Sequence, residues 1–210
     1  MYKKEGMCFG LLLIIAFLSI VGDARAEDDR HIPAWEEMNW CLQQAEAGNA
    51  EIQYYVGICY ADGIAVTENA EKAASWLRKA ADQGYAPAQY QLGYAYLDGV
   101  GVDQSDSKGV QWIRKAAESG LAIAQNELGY IYQDGVFGVA VDYSKAYEWY
   151  KKAAAQNLPQ ALNNIGVLYA DGLGVPQDNN KALEYYRKAI ALDNFKSLEN
   201  MVGVMYNANN

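Results

Sequence analysis

The chain has 210 residues, of which 51% are hydrophobic, and its net charge at neutral pH is −9. Such an acidic chain is unsuited to a nucleic-acid backbone, because it has no positive stripe to replace the phosphate counterions. Beyond the first 26 residues, Cys41, Cys59 and the single histidine, His31, are fewer than the four ligands of a Cys/His zinc site, and His31 lies too near the start of the chain for a catalytic triad in a folded array.

The first 26 residues have the features of a secretory signal peptide. Lys3 and Lys4 precede a largely apolar run over 9–21, and residues 24–26 read Ala-Arg-Ala, with small side chains at both cleavage-recognition positions. The run is shorter than the roughly 20 apolar residues of a membrane span, which disfavours an anchor. We therefore expect cleavage before Glu27 and a periplasmic or secreted protein. Residues 27–210 then carry 24 acidic and 14 basic side chains, a net charge of −10.

The rest of the sequence repeats with a period of 36 or 37 residues. One glycine in each period, here called the marker glycine, stands at Gly57, Gly93, Gly129, Gly166 and Gly203. A tyrosine follows three residues after each marker glycine, at Tyr60, Tyr96, Tyr132, Tyr169 and Tyr206. Asp-Gly begins five residues after each of the first four. A second aromatic series consists of Trp40, Trp76, Trp112, Trp149 and Tyr185.

Each period predicts two helices. Helix A surrounds the marker glycine, with apolar residues at helical spacing, and ends at Asp-Gly, where glycine readily adopts the left-handed conformation. Helix B carries the second aromatic series and an alanine-rich end. Its start is predicted at four residues of the types that cap helix N-termini, Asn69, Ser105, Asp142 and Asp178.

This pattern resembles the Sel1-like repeat family, a relative of the tetratricopeptide repeats. Residues 88–117 and 161–189 match the family pattern A-x-x-x-L-G-x-x-Y, G-x-G-V, D-x-x-K-A-x-x-W/Y-x-x-K-A-A almost throughout. The resemblance implies an all-α fold, a right-handed α-solenoid of helix-turn-helix repeats. We place the repeats at 49–84, 85–120, 121–157 and 158–193, after a cap helix over 33–47 and before a closing helix over 195–206. The departures from the pattern are Ala65, Gly109, Phe137 and Asp193.

The G-x-G sequence at 99–101 is interpreted as a turn between helices A and B. A nucleotide-binding loop would need a strand before it or a following Gly-Lys-Ser/Thr. Here a predicted helix precedes, and the pattern returns at 172–174. The only histidine, His31, lies near the predicted cleavage point. We therefore predict no catalytic residue, no metal site and no cofactor.

Cys41 and Cys59 are the two cysteines that remain after the predicted cleavage. They lie on neighbouring antiparallel helices within about one helical turn of each other, so a disulfide between them is geometrically feasible in an oxidising compartment. Cysteine-rich members of the family bridge the same kind of helix pair, closer to the turn. We expect a disulfide here, and two small buried apolar residues are the alternative.

The partner-binding residues are predicted by analogy with tetratricopeptide grooves, in which helices A line the concave face. The inward positions lie three before, one after and four after each marker glycine. The predicted contact residues are Tyr54, Tyr90, Tyr94, Leu97, Asn126, Tyr130, Gln133, Asn163 and Asn200. Tyrosines supply rigid contact area and asparagines can pair with an extended backbone. This set suits a peptide or loop of another protein, although aromatic residues at helical spacing also occur in cores.

The function expected from these features is that of a non-enzymatic, exported protein–protein interaction module. The resemblance also implies a narrower role, because some short periplasmic Sel1-like proteins are immunity proteins that neutralise lipase effectors of type VI secretion. A host-contact factor or an envelope assembly adaptor fits equally well. Some cysteine-rich relatives are linked to penicillin binding or β-lactam hydrolysis, but this chain lacks their repeated cysteine pairs.

Overall fold

The computed structural model describes residues 34–207, with side chains over 38–206. Ten α-helices and no β-strand make up this part of the chain, which confirms the all-α expectation. The predicted signal peptide and His31 lie outside the described residues. The helices are α1 Ala34–Glu46, α2 Ala50–Asp62, α3 Ala70–Asp82, α4 Ala86–Asp98, α5 Asp106–Glu118, α6 Ala122–Asp134, α7 Tyr143–Ala154, α8 Pro159–Asp171, α9 Asn179–Ile190 and α10 Lys196–Asn207.

The helices stack as an α-solenoid in which each helix packs against the helices before and after it in sequence. The A helices, which contain the marker glycines, are α2, α4, α6, α8 and α10. The B helices, which contain the second aromatic series, are α1, α3, α5, α7 and α9. None of the described helices is long and apolar enough to cross a membrane.

The predicted helix ends are confirmed. The side chains of Asn69, Ser105, Asp142 and Asp178 accept a hydrogen bond from the backbone N–H three residues later, at 2.8, 3.4, 3.0 and 3.0 Å. Each caps one of the N–H groups that the first turn of a helix leaves without a partner. Helices α2, α4, α6 and α8 end at a glycine with φ between 66° and 68°, which is the left-handed conformation. These two devices turn the chain from each A helix into its B helix.

The marker glycines allow helices A and B to touch. A Cβ atom on Gly93 would lie 2.7 Å from Cγ1 of Ile113 and 3.1 Å from the carbonyl oxygen of Gly109. The second glycine, Gly109, makes room in turn for Leu97, whose Cγ would lie 2.6 Å from a Cβ at that position. The last marker glycine, Gly203, has nothing within 4 Å, because no B helix follows α10 in the described residues.

Two of the repeated tyrosines, Tyr96 and Tyr132, join one repeat to the next through cations on both sides. The Lys108 ammonium lies 5.4 Å from the Tyr96 ring centroid, and the Arg78 guanidinium of the preceding B helix lies 5.3 Å from the same centroid and donates to the Tyr96 hydroxyl. Arg114 likewise donates to the Tyr132 hydroxyl at 2.9 Å. Each ring therefore binds the B helices of two successive repeats through cation–π contacts and a charged hydrogen bond.

Buried glutamines form another inter-repeat series, which the sequence analysis missed. Gln53, Gln89 and Gln125 are 4–6% exposed. Their amide groups donate at 2.8, 3.2 and 3.1 Å to backbone carbonyls in the last turn of the preceding B helix. Their amide oxygens accept from side chains at the end of the following B helix, at 2.7, 3.3 and 2.9 Å. Each glutamine thus fixes the spacing of two B helices across one A helix.

Candidate protein-interaction site

The predicted contact residues lie on the A helices along the stack. The first end, formed by α2 and α4, is aromatic. Tyr54 on α2 lies with its ring centroid 5.2 Å from that of Tyr55 and 5.4 Å from that of Tyr85. On α4, the Tyr90 and Tyr94 rings meet edge to face at 5.1 Å. All five rings are half-buried, so each presents part of its surface to solvent.

Burial raises the pKa of the phenols at this aromatic end, which are already neutral near pH 7. It raises the pKa of Tyr90 to about 12, and it is also the main cause of the raised pKa of Tyr54 and of Tyr94. A neutral phenol can donate as well as accept a hydrogen bond, while its ring offers a negative face to a cation. The aromatic end can therefore bind both polar and cationic groups of a partner.

Glu127 on α6 lies beside this tyrosine pair, and the sequence analysis did not single it out. Burial raises the pKa of the Glu127 carboxyl, although the neighbouring Tyr94 hydroxyl partly offsets that effect. The signal for this residue was present in the repeat. Two positions before the marker glycine, Glu127 is the only charged residue among Tyr55, Gln91, Glu127, Asn164 and Met201.

The second end of the predicted groove is rich in amides, but these amides bind one another. The Asn164 side chain donates to Asn126 at 3.0 Å, and the Asn200 side chain donates to Asn163 at 2.9 Å. Ser197 also donates to the Asn163 oxygen at 2.9 Å. These bonds join successive A helices. They occupy the groups that were expected to pair with a partner backbone.

Two of the predicted contact residues lie in the interior. Leu97 is 4% exposed because it packs into the space above Gly109. Asn163 is 6% exposed because Ser197 and Asn200 cover it. The assignment of Leu97 and Asn163 to an open groove surface was wrong, since the analogy gave positions along the helix but not the packing of each side chain.

Tyr130 and Gln133 lie on α6 beyond the tyrosine pair. Tyr130 is 40% exposed and extends the accessible aromatic surface. Gln133 is half-buried and accepts a hydrogen bond from the Tyr150 hydroxyl at 3.1 Å, while its amide group donates to Asp134 at 3.2 Å. Gln133 therefore serves the packing of helix A on helix B as well as the surface.

Cys41 and Cys59 are both buried, and the described residues contain no disulfide between them. The expected bond is therefore not confirmed. The two thiols are close enough to interact, since Cys41 contributes, after burial, to raising the pKa of Cys59 to about 12. A thiol with such a pKa is protonated at neutral pH and is a poor nucleophile.

Catalytic and metal chemistry was also sought among the described side chains. Over this part of the chain, no three His, Cys, Asp or Glu residues are grouped so that they could hold a metal ion. The sequence Ser-Asp-Ser-Lys at 105–108 has the S-x-x-K spacing of some acyl-transfer enzymes. Here Ser105 caps α5, and the Lys108 ammonium lies over the Tyr96 ring. Both residues therefore have structural roles in the stack.

A solenoid of helical hairpins with an aromatic A-helix surface defines the class of helical-repeat interaction scaffolds. The Sel1 repeat model matches residues 50–85, 86–121, 122–158 and 159–194. The chain belongs to the Sel1 repeat family, whose members typically act as non-enzymatic protein-interaction scaffolds. The comparison with curated proteins finds no match to the chain.

Solved structures share this fold. A protective antigen of uropathogenic Escherichia coli, described as having an SLR fold, is 38% identical with a TM-score of 0.77, over 82% of this chain and 36% of that one. A Sel1 repeat protein from Oxalobacter formigenes is 31% identical with a TM-score of 0.73, over 81% of this chain and 68% of that one. The chain thus spans about a third of the first protein. An immunity protein of Pseudomonas aeruginosa, 19% identical with a TM-score of 0.53 over 87% of this chain and 66% of that one, shares the fold alone.

Proposed function

We propose that the protein is an exported, non-enzymatic module that binds a partner protein or peptide through its A-helix surface. The observation that carries this proposal is the presence of half-exposed tyrosines on neighbouring A helices, Tyr54, Tyr90 and Tyr94, with the exposed Tyr130 on α6 at the position equivalent to Tyr94. Tyrosines are enriched in interfaces because each buries a large rigid ring at low entropic cost. The interaction role typical of the family supports the same function.

Export is proposed from the sequence of residues 1–26, with its basic start, apolar run and Ala-Arg-Ala end. In a bacterium with two membranes, the protein should be recovered from the periplasmic fraction with Glu27 as its first residue. N-terminal sequencing of the recovered protein tests this directly. Recovery in the cytosol with the first 26 residues intact would contradict export.

Affinity capture from periplasmic extract tests the proposed binding surface. The bait is the protein itself, compared with a variant carrying Tyr90→Ala and Tyr94→Ala together. The control variant carries Phe195→Ala and Tyr206→Ala, which removes two rings, each 70% exposed, at the last helix α10, far along the stack. We expect the first variant to lose a partner that the control retains. Equal capture of every partner by all three proteins would contradict the assignment to this surface.

Immunity to a type VI secretion lipase effector is a narrower candidate for the same interaction. Its support is the resemblance to short periplasmic Sel1-like proteins together with the acidic, signal-bearing sequence. It predicts a toxin gene beside this one, and killing of the deletion strain by sister cells in co-culture. If neither is found, the immunity role is excluded and the general interaction role stands.

A hydrolase acting on β-lactams is the candidate from another class of function. It predicts turnover of a chromogenic cephalosporin by the purified protein. Ser105→Ala would abolish that turnover if the S-x-x-K sequence were catalytic. If Ser105 only caps the helix, the substitution lowers the stability of the protein and nothing else. We expect no turnover by either protein.

A further inference from the structure

We propose that the A-helix surface binds a basic segment of the partner, and that Tyr90, Tyr94 and Glu127 together hold a lysine or arginine side chain of that segment. This inference rests on the proposed function, because it specifies the partner chemistry of the same surface. The first support for the inference is the distribution of charge between the A helices and the B helices.

In the four complete repeats the charges are segregated by helix type, whereas the outer helices do not follow that division, because α1 has three glutamates and no cation and α10 has one lysine and one glutamate. The A helices α2, α4, α6 and α8 together contain six carboxylates and no lysine or arginine. The B helices α3, α5, α7 and α9 contain twelve lysines and arginines against six carboxylates. The net acidity of these helices is thus concentrated on the A helices. A surface of one sign attracts a partner of the other sign and repels partners of its own.

The cations of the B helices are held against aromatic rings of this chain. Lys72, Lys108, Lys145 and Lys181 each lie 5.1–5.4 Å from the centroid of a repeated tyrosine. Lys79, Lys115 and Lys152 each lie 3.8–3.9 Å from the centroid of a tryptophan. Over the described residues, none of these contacts involves Tyr54, Tyr90 or Tyr94. The stack therefore pairs a cation with a ring repeatedly, but among the described side chains it places none over Tyr54, Tyr90 or Tyr94.

The cluster of Tyr90, Tyr94 and Glu127 has the groups that recognise a cationic side chain. Two rings at 5.1 Å, edge to face, provide aromatic faces for cation–π contact. The Glu127 carboxylate, beside the Tyr94 hydroxyl, provides a charged hydrogen-bond acceptor. None of the ion pairs among the described side chains involves Glu127. An incoming cation would therefore neutralise a carboxylate that the described fold does not pair with a cation.

Selection from a random peptide library displayed on phage tests this inference. The targets are the purified protein, its Glu127→Gln variant and the variant that carries Tyr90→Ala and Tyr94→Ala together. The matched control is Glu118→Gln, which removes the same charge from an exposed position at the end of the B helix α5. We expect peptides selected on the protein to be enriched in lysine and arginine. Synthetic copies should bind Glu127→Gln at least about tenfold more weakly, bind Glu118→Gln as well as the unaltered protein, and lose affinity as salt is added.

Three outcomes would overturn the inference. Selected peptides that need Tyr90 and Tyr94 but carry no basic residues would exclude the basic partner and leave the proposed function standing. Equal losses of peptide affinity in Glu127→Gln and Glu118→Gln would show that basic peptides are attracted to the acidic protein in general and not to Glu127. If no selected peptide depends on Tyr90 or Tyr94, both the inference and the proposed function fail. Circular dichroism melting of each variant confirms that a loss of binding is not a loss of fold.

Discussion

The ring of Tyr150 lies directly over Gly129, so that a Cβ atom on this glycine would come within 2.6 Å of two ring atoms. Tyr150 is fully buried, and its hydroxyl is held by Gln133 at 3.1 Å. The ring therefore has no free space into which it could tilt. This contact explains the marker glycine of the third repeat as the point at which helices A and B touch.

Gly129→Ala should destabilise the protein. Adding a methyl group to a filled core costs about 1–3 kcal/mol. Replacing glycine with alanine in a helix gains about 1 kcal/mol in helix propensity, so the net effect is destabilising over most of that range. Gly203→Ala is the matched control, because that glycine has no neighbour within 4 Å and should keep the propensity gain. Urea denaturation of both variants measures the difference. Equal unfolding midpoints for the two variants would contradict this account of the marker glycines.

Gln125→Leu should also destabilise the stack. The substitution keeps the volume of the side chain but leaves the Ala117 carbonyl and the Gln156 amide without the bonds they now make at 3.1 and 2.9 Å. The Ala117 carbonyl still accepts from the Gly120 N–H at 3.1 Å, and the Gln156 amide still donates to the Gly120 carbonyl at 2.9 Å, so the cost is that of two lost hydrogen bonds, about 0.5–1.5 kcal/mol each. For a protein of this size, each kcal/mol lowers the melting temperature by about 2–4 °C. The control is Gln160→Leu at an exposed site on α8, which should melt close to the unaltered protein.

Glu127 should make stability depend on pH. Its folded-state pKa is raised by burial, so the folded protein binds this proton more tightly than the unfolded chain does. The stabilising contribution is therefore fully present below the unfolded pKa of about 4.3 and is lost as pH rises through the folded pKa. Relative to the unaltered protein, the free energy of unfolding of Glu127→Gln should increase from about pH 4 to pH 7. Urea titrations at several pH values measure this.

The two buried thiols should react slowly in the folded protein. In a Cys8→Ala background, neither Cys41 nor Cys59 should react with a thiol reagent near pH 8, since burial holds the pKa of Cys59 at about 12. Two thiols should react once the protein is unfolded. To test for the disulfide, the reactive thiols are counted in protein that is recovered from an oxidising compartment and unfolded without reductant. If no thiol is then detected, the disulfide expected from the sequence forms after all.

Two of the predicted contact residues, Leu97 and Asn163, are buried for a physical reason. The repeat placed Leu97 and Asn163 at the positions that face inward in related grooves. Leu97 instead fills the space left by Gly109, and Asn163 is covered by the helix of the next period. Glu127 was overlooked because the prediction did not treat the position two residues before the marker glycine as facing the groove. Glu127 is the one charged residue in the repeat series at that position. Which side chains are accessible depends on partners about 36 residues away, and helical spacing describes only nearest neighbours.

The sequence alone determined the helices, their ends and their order. Those features depend on local chemistry, such as glycine in the left-handed turn and Asn, Ser or Asp at the helix start, and the period repeats that chemistry along the chain. Only the tertiary structure decided which residues join the repeats and which remain at the surface. Side chains such as Gln89 and Tyr96 find their partners on helices of neighbouring repeats. Stacking thus buries some groups of the A-helix surface and leaves Tyr94 and Glu127 partly open to a partner.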